Sequence, residues 1–321
     1  MAELDGVPRH EGDAAARRAL GIPVAQAEIR LGPVSVFPGE KSGKYPDGNQ
    51  VVVRGADTLV AFDTPQVANR LGAELLDADL LILGHVHEDH LAGLGRLKDV
   101  PVQVHEADVE AARSWPGLAR HYGYAPEALE RMRAMIERDF SYVPRPDAQP
   151  YAGGARWELG GGVAVQAIHA PGHTSGHCVL LVEPGGIAFI GDIDLSSFGP
   201  YYGDATSSLD EFRRTLEAVK DIPARAWITS HHKGVITERA TFLSLLEAYT
   251  ARLDAREEAI AAHLRARPST LAELVEHRFL YPKRLEGIWY DDAERRTTGQ
   301  HLESLRRAGR AVDEGGRWRL S

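Results

Sequence analysis

The chain has 321 residues, 43% of them hydrophobic and 26% charged, and a formal net charge of -9. This fits an ordinary globular protein of one large domain plus a small one, and the acidic balance argues against a dedicated nucleic-acid binder. No apolar run reaches the ~20 residues of a membrane span. The acidic start Met1-Ala2-Glu3-Leu4-Asp5 does not read as a signal peptide, and Cys178, alone, excludes an intrachain disulfide and a multi-thiolate zinc site. The expected location is cytoplasmic, with no membrane partner.

Taken in order, residues 1–25 read as a loosely packed lead-in. Extended segments follow at Ala27–Leu31, Val34–Phe37, Gln50–Arg54 and Thr58–Phe62, separated by Gly-Pro, Pro-Gly and Asp-Gly turn signals, which predicts antiparallel hairpins. Gln66–Leu76 looks helical and leads into the apolar strand Leu80–Leu83. The pattern has thus changed to strand-helix-strand alternation.

That strand ends at Gly84, and His85, His87, Asp89 and His90 follow within six positions. In an extended segment His85 and His87 point the same way, and Asp89 and His90 come back after a turn. Such groups packed at a strand end would be costly to bury without a cation. Imidazole with carboxylate favours zinc, iron, manganese or nickel over calcium or magnesium.

Leu91–Gly95 is expected to open a helix, and Val102–His105 is the next strand. Residues 107–150 are less regular, with a helix over Glu127–Arg138 and the aromatics Trp115, Tyr122, Tyr124, Phe140 and Tyr142 around it. They read either as a helical insertion with its own small core or as a lid over a substrate cleft. Strands resume at Ala155–Leu159 and Val163–Ile168, and a second histidine-rich turn carries His173. His177 and Cys178 begin the strand Cys178–Val182, His177 as a supporting or packing residue and Cys178 as a small buried hydrophobe.

The strand Ile187–Ile190 ends at Gly191-Asp192-Ile193-Asp194, with Asp192 the better placed carboxylate. Leu209–Val219 is an amphipathic helix, and Ala226–Thr229 is a strand that ends at Ser230-His231-His232-Lys233-Gly234. Apolar strands therefore end repeatedly in histidine or aspartate. Strand ends on one edge of a layered α/β fold converge, which is where such folds place their sites.

This order of residues resembles the hydrolase branch of the metallo-β-lactamase superfamily. The H-x-H-x-D-H pattern is filled by His85, His87, Asp89 and His90, and the later His, Asp and His by His173, Asp192 and His231. The resemblance implies an α/β fold, a four-layer αβ/βα sandwich, with a centre for two divalent metal ions at one edge. It places His85, His87 and His173 on the first ion and Asp89, His90 and His231 on the second, with Asp192 bridging. Zinc is the first expectation, with iron and manganese as alternatives. His231 is preferred to His232 because the family's His-Gly often continues as Lys-Gly. The resemblance also implies for Asp89 the catalytic role of orienting the nucleophile or carrying a proton to the leaving group. Asp63 and Asp194 are candidates to fix the second nitrogens of the histidines.

The tail reads as helices over Leu243–Leu264, Thr270–Glu276 and Thr298–Ala308 and a hairpin from Gly309 to Leu320. It resembles the winged-helix-like appendage of several members, which divides the chain into a catalytic domain, 1–245, and a C-terminal domain, 246–321. From Arg252 onward there are 14 Lys+Arg against 12 Asp+Glu, which favours packing or homodimer formation over nucleic acid.

The expected chemistry is hydrolysis of an ester-type bond in a small acyl compound, a thioester or lactone, by a metal-bridged hydroxide. Tyr201 or Tyr202 would hydrogen-bond the substrate carbonyl or, equally, cover the following helix. The competing readings are a nuclease or phosphodiesterase, suggested by the tail, and a mononuclear-iron dioxygenase acting on persulfides.

Overall fold

The structure, a computed structural model, describes residues 27–321. The lead-in read at residues 1–25 lies outside the described residues. The first sheet holds β1 (Ile29–Leu31), β2 (Val34–Phe37), β3 (Gln50–Arg54), β4 (Leu59–Phe62), β5 (Leu80–Leu83), β6 (Val102–His105) and β7 (Gln149–Tyr151) in sequence order. The pairings β1–β2, β2–β3 and β3–β4 are antiparallel, and those from β4 to β7 are parallel. The switch from hairpins to crossovers falls where turn residues give way to longer connections.

The second sheet holds β8 (Arg156–Glu158), β9 (Ala164–His169), β10 (Cys178–Glu183), β11 (Ile187–Phe189), β12 (Ala226–Ile228) and β13 (Val235–Ile236), also as neighbours in sequence order. Strand periodicity accounts for how the two sheets stack. Val51, Val53, Phe62 and Ile82 from the first sheet meet Leu180, Val182, Phe189 and Ile228 from the second in one buried cluster. The intervening residues Val52, Leu81 and Leu83 face helices on the outside of the first sheet. Val179 and Leu181 do the same on the second. Sheets covered on both faces need strands that are apolar throughout. The result is a four-layer αβ/βα sandwich.

The helices outside the first sheet include α1 (Val109–Arg113), α2 (Trp115–Tyr122) and α3 (Pro126–Asp139). Leu118, Tyr122, Met132 and Ile136 on these helices share a cluster with Leu81 and Val104. Segment 107–150 therefore has no separate core; it is a layer of the main fold. Outside the second sheet lie α4 (Leu209–Ala218) and the first half of the 28-residue helix α5 (Arg239–Ala266), where Trp227 stacks on Phe242 at 4.2 Å.

Three expected elements differ. Gln66–Leu76 is split into a 3-10 turn, Gln66–Arg70, and one α-turn, Ala73–Leu76, with Gly72 between them. Leu91–Gly95 opens no α-helix; single 3-10 turns occur at Glu88–His90 and Leu94–Arg96. The last helix, α7 (Tyr290–Arg307), starts eight residues earlier than Thr298, because Ala293 and Thr297 are also buried.

The expected division at 245/246 falls inside α5. Leu246, Tyr249 and Leu253 pack on the second sheet, whereas Ile260, Ala261 and Leu264 belong to the C-terminal cluster with Leu274, Leu302 and Leu305. That terminal unit contains β14 (Ser269–Thr270), α6 (Leu271–His277), α7, β15 (Ala311–Glu314) and β16 (Arg317–Leu320), its sheet ordered β14-β16-β15. A capping box between Thr270 and Glu273 starts α6. Helices with a small terminal hairpin are compatible with the winged-helix-like appendage. Among the described residues no helix is long and apolar enough to cross a membrane.

Candidate metal centre

The ends of β4, β5, β11 and β12 and the β9–β10 connection lie along one edge of the sandwich, and there the expected residues meet. His85, His87, His173 and Asp192 form one group of converging donor atoms, and Asp89, His90 and His231 form another. Asp192 adjoins both: its Oδ2 lies 4.0 Å from His85 Nε2 and 3.5 Å from His173 Nε2, while its Oδ1 lies 3.2 Å from His90 Nε2 and 3.5 Å from His231 Nε2.

Local backbone geometry makes this approach feasible. Gly191 has a positive φ of 55°, and a Cβ there would lie 2.5 Å from His177 Nε2. Only glycine turns the chain so tightly from β11 into Asp192. His177 then fixes the result, since its Nε2 accepts the Asp192 N–H at 3.2 Å while its Nδ1 faces Ala170 O at 3.1 Å. Its role is therefore to position Asp192.

Each of four cluster histidines has one nitrogen held from behind. His90 Nδ1 meets Asp63 Oδ2 at 2.8 Å, His87 Nε2 meets Asp204 Oδ2 at 2.7 Å, and His173 Nδ1 meets Tyr201 O at 2.9 Å. His231 Nδ1 is shared by Gly43 O and Asp47 O, each at 2.9 Å. An acceptor behind one nitrogen fixes the N–H there and turns the other nitrogen's lone pair inward. His87 Nδ1 and His173 Nε2 consequently face each other at 3.1 Å. Two lone pairs at that distance require a proton or a cation between them. Among the described residues, His85 Nδ1 and Nε2, His90 Nε2 and Asp192 Oδ1 are buried and find no hydrogen-bond partner, which is costly unless something ligates them.

The electrostatics carry the same demand for positive charge. Burial opposes protonation of His90, yet Asp192, Asp89 and Asp63 outweigh it and raise its pKa well above the usual imidazole value. In His231, burial is likewise overcome by Asp192 and Asp89, to about 10, and in His87 by Asp204, to about 9. His173, by contrast, is depressed to about 4 by burial and then by His87. Carboxylates that hold protons on neighbouring imidazoles are suited to holding divalent cations instead. The residues fit the implied metals, with His85, His87 and His173 able to hold one ion, Asp89, His90 and His231 a second, and Asp192 either. Asp63 could also join His85 and His90, but its oxygens already accept His90 Nδ1–H and the Gly84 N–H at 2.7 Å. It is a support.

Some expected positions differ. His231 turns into the cluster, whereas His232 is partly exposed beside Asp194, with Nε2 to Oδ2 at 3.6 Å. Asp194 accepts the Ser196 N–H and stands behind no cluster histidine; Asp204, not singled out in the sequence, holds His87 instead. Tyr202 is corrected as a substrate contact: it is fully buried, and its hydroxyl lies 2.7 Å from His301 Nε2. Tyr201 does line the site, but its hydroxyl is committed to Asp204 Oδ1 at 3.1 Å and to Tyr124 OH at 2.9 Å.

A cavity of about 260 Å³ opens over the cluster, lined by Tyr45, Tyr122, Tyr124, Met132, Phe198, Tyr201, Tyr281 and Trp289 as well as cluster residues. Tyr122, Tyr124 and Met132 come from segment 107–150, so part of that layer also walls the site. Among the described residues no lysine or arginine lines the cavity, whereas Glu88, Asp89, Asp192, Asp194 and Asp204 do. Glu88 is a second residue the sequence reading passed over; its carboxylate accepts the hydroxyls of Tyr122 at 2.6 Å and Tyr45 at 3.0 Å.

Comparison with known proteins agrees with this geometry. The model of the metallo-beta-lactamase superfamily matches residues 49–247. A Beta-lactamase-like protein 2 homolog from Drosophila melanogaster is 26% identical over 77% of this chain and 76% of its own length. An N-acyl homoserine lactonase from a Bacillus species is 30% identical over 36% of this chain and 38% of its own. An atrochrysone carboxyl ACP thioesterase from Cryptosporiopsis is 27% identical over 62% and 56%. Among solved structures, a metallo-beta-lactamase family protein from Thermus thermophilus has a TM-score of 0.66 at 26% identity and covers 91% of this chain and 99% of its own.

Proposed function

The chain belongs to the metallo-beta-lactamase superfamily, and from that premise we propose that it is a binuclear metal-dependent hydrolase of an ester-type bond, a thioester or lactone, in a small uncharged acyl compound. The observation that carries the reading is the pair of donor groups adjoining Asp192 beneath an aromatic cavity that, among the described residues, no lysine or arginine lines. Two divalent ions held there would supply Lewis acidity and a water acidic enough to be deprotonated near neutral pH.

The chain's own residues do the rest. Asp63, Asp204 and His177 hold His90, His87 and Asp192 in register before substrate arrives. Asp89 is buried, with Oδ2 3.0 Å from His231 Nε2, and is the carboxylate placed to orient the nucleophile and carry a proton to the leaving group. The rings of Tyr45, Tyr201 and Trp289 exclude water around the acyl group. Relatives named as a lactonase and a thioesterase support the same bond class. A phosphodiesterase acting on nucleic acid would need basic side chains along its track, and among the described residues no lysine or arginine lines this cavity.

The experiment is a panel of an uncharged thioester, an uncharged lactone and a phosphodiester, assayed with zinc-, manganese- and iron-loaded protein. Turnover of an acyl substrate that disappears in His87→Ala and Asp192→Ala is the expected result. Phosphodiester cleavage alone, or oxygen consumption with iron, would replace the proposal.

A further inference from the structure

The outer wall of the cavity is built by the C-terminal unit. Tyr281 and Trp289 lie on the connection between α6 and α7 and turn their rings to the cavity, away from the appendage's own cluster around Leu264 and Leu302. Trp289 Nε1–H donates to Tyr281 OH at 3.1 Å. The ring of Tyr281 stacks on Tyr290 at 3.7 Å and meets Phe198 at 5.6 Å. Trp289 meets Tyr45 edge-on at 6.4 Å, and Tyr45 donates to Glu88, the residue before Asp89. Ring contacts and the Tyr45–Glu88 hydrogen bond therefore join the C-terminal unit to the segment that bears the cluster.

The connection is held by a single buried carboxylate. Glu294, on α7 and fully buried, accepts the N–H groups of Phe279, Leu280 and Tyr281 at 3.0, 2.8 and 2.6 Å. Three backbone donors on one carboxylate fix the path of the turn and with it the position of Tyr281. Trp289 also packs on the cluster outside the first sheet, so the same ring seats the appendage and walls the cavity.

We propose that Tyr281 and Trp289, positioned by Glu294, form with Tyr45 the specificity wall of the site, and that this wall takes an aromatic acyl group of an uncharged substrate. The inference rests on the hydrolase reading above and adds the substrate's acyl class. Flat rings around a small cavity favour a flat apolar partner through offset and edge contacts, and among the described residues no lysine or arginine lines the cavity to pair an anionic acyl group.

The test uses the full-length, metal-loaded protein and two esters of the same alcohol, an acetyl and a phenylacetyl ester. The readout is the ratio of their kcat/KM values in the wild type, Tyr281→Ala and Trp289→Ala. The ratio of phenylacetyl to acetyl is expected to fall about tenfold in each variant, equivalent to about 1.4 kcal/mol. Glu294→Gln is expected to raise KM for the phenylacetyl ester by a larger factor than it lowers kcat. An unchanged ratio in both alanine variants would overturn the wall, whether activities fall together or not at all. Calorimetric binding of an uncharged phenyl ketone, which cannot be hydrolysed, separates the two readings. Ketone binding weakened about tenfold by Trp289→Ala, with neither ester turned over, would retain the wall and sink the hydrolase. Ketone binding that Trp289→Ala leaves unchanged would overturn the wall whatever the turnover.

Discussion

His87 Nε2 and Asp204 Oδ2, 117 residues apart in the chain, meet at 2.7 Å beneath the cavity. The carboxylate itself accepts the hydroxyls of Tyr124 and Tyr201, and the Asp204 backbone N–H donates to Ser207 Oγ. This contact fixes which nitrogen of His87 points inward. It also balances charge, since the carboxylate of Asp204 favours a cationic or metal-bound imidazole.

Asp204→Asn is therefore expected to lower metal affinity by ~10–100-fold, in keeping with a lost carboxylate–histidine support, while leaving the fold intact. Competition with a coloured chelator measures the affinity, and circular dichroism checks the fold. An unchanged affinity would mean that His87 needs no support or does not bind metal.

The strands that lead into the cluster were legible because each is a short apolar run that ends in glycine or a polar turn. Leu80–Leu83, which precedes His85, forms at the residues read from the sequence. The supporting carboxylates were not legible in the same way. Asp204 sits in an irregular stretch with no strand before it, and only the fold brings it behind His87. Neighbouring Tyr201 and Tyr202 look alike in sequence, yet the loop sends one ring to the cavity and the other to His301. The split of Gln66–Leu76 has a local cause at Gly72, whose φ of -100° and ψ of -132° interrupt the turn that an apolar periodicity suggests. Tyr281 and Trp289 gave no signal, since aromatic residues in a connection read as packing until the facing cavity is seen.

Cys178 tests the packing between the sheets. It is fully buried, and burial pushes its thiol up to about 12 against the opposing influence of the Tyr151 hydroxyl. At mildly alkaline pH the folded protein is expected to react with a disulfide reagent only as fast as it unfolds, and one thiol is expected to react promptly in denaturant. Rapid stoichiometric labelling of the folded protein would contradict the inter-sheet placement of this side chain.

His301 links pH to stability in the C-terminal unit. Burial lowers its pKa, against the opposing pull of Glu257, whose carboxylate lies 3.2 Å from Nδ1. An unfolded imidazole takes up a proton near pH 6.5, whereas the folded one does so only at lower pH. Between those points the unfolded state binds more protons, so the contribution is complete above about pH 6.5 and is lost as pH falls toward the folded value. Urea midpoints at about pH 7.5 and pH 5.5 are expected to differ more in the wild type than in His301→Asn, with the sign of acid destabilisation. Parallel shifts in the two proteins would exclude His301 as the source.

The most direct test of the account is metal content, measured by elemental analysis on protein purified without added metal and compared with His87→Ala and His90→Ala. About two divalent ions per chain in the wild type, with fewer in each variant, is the result that two donor groups adjoining Asp192 require. Trace metal in the wild type, or a content that neither substitution changes, would contradict the assignment of this cluster as a binuclear centre.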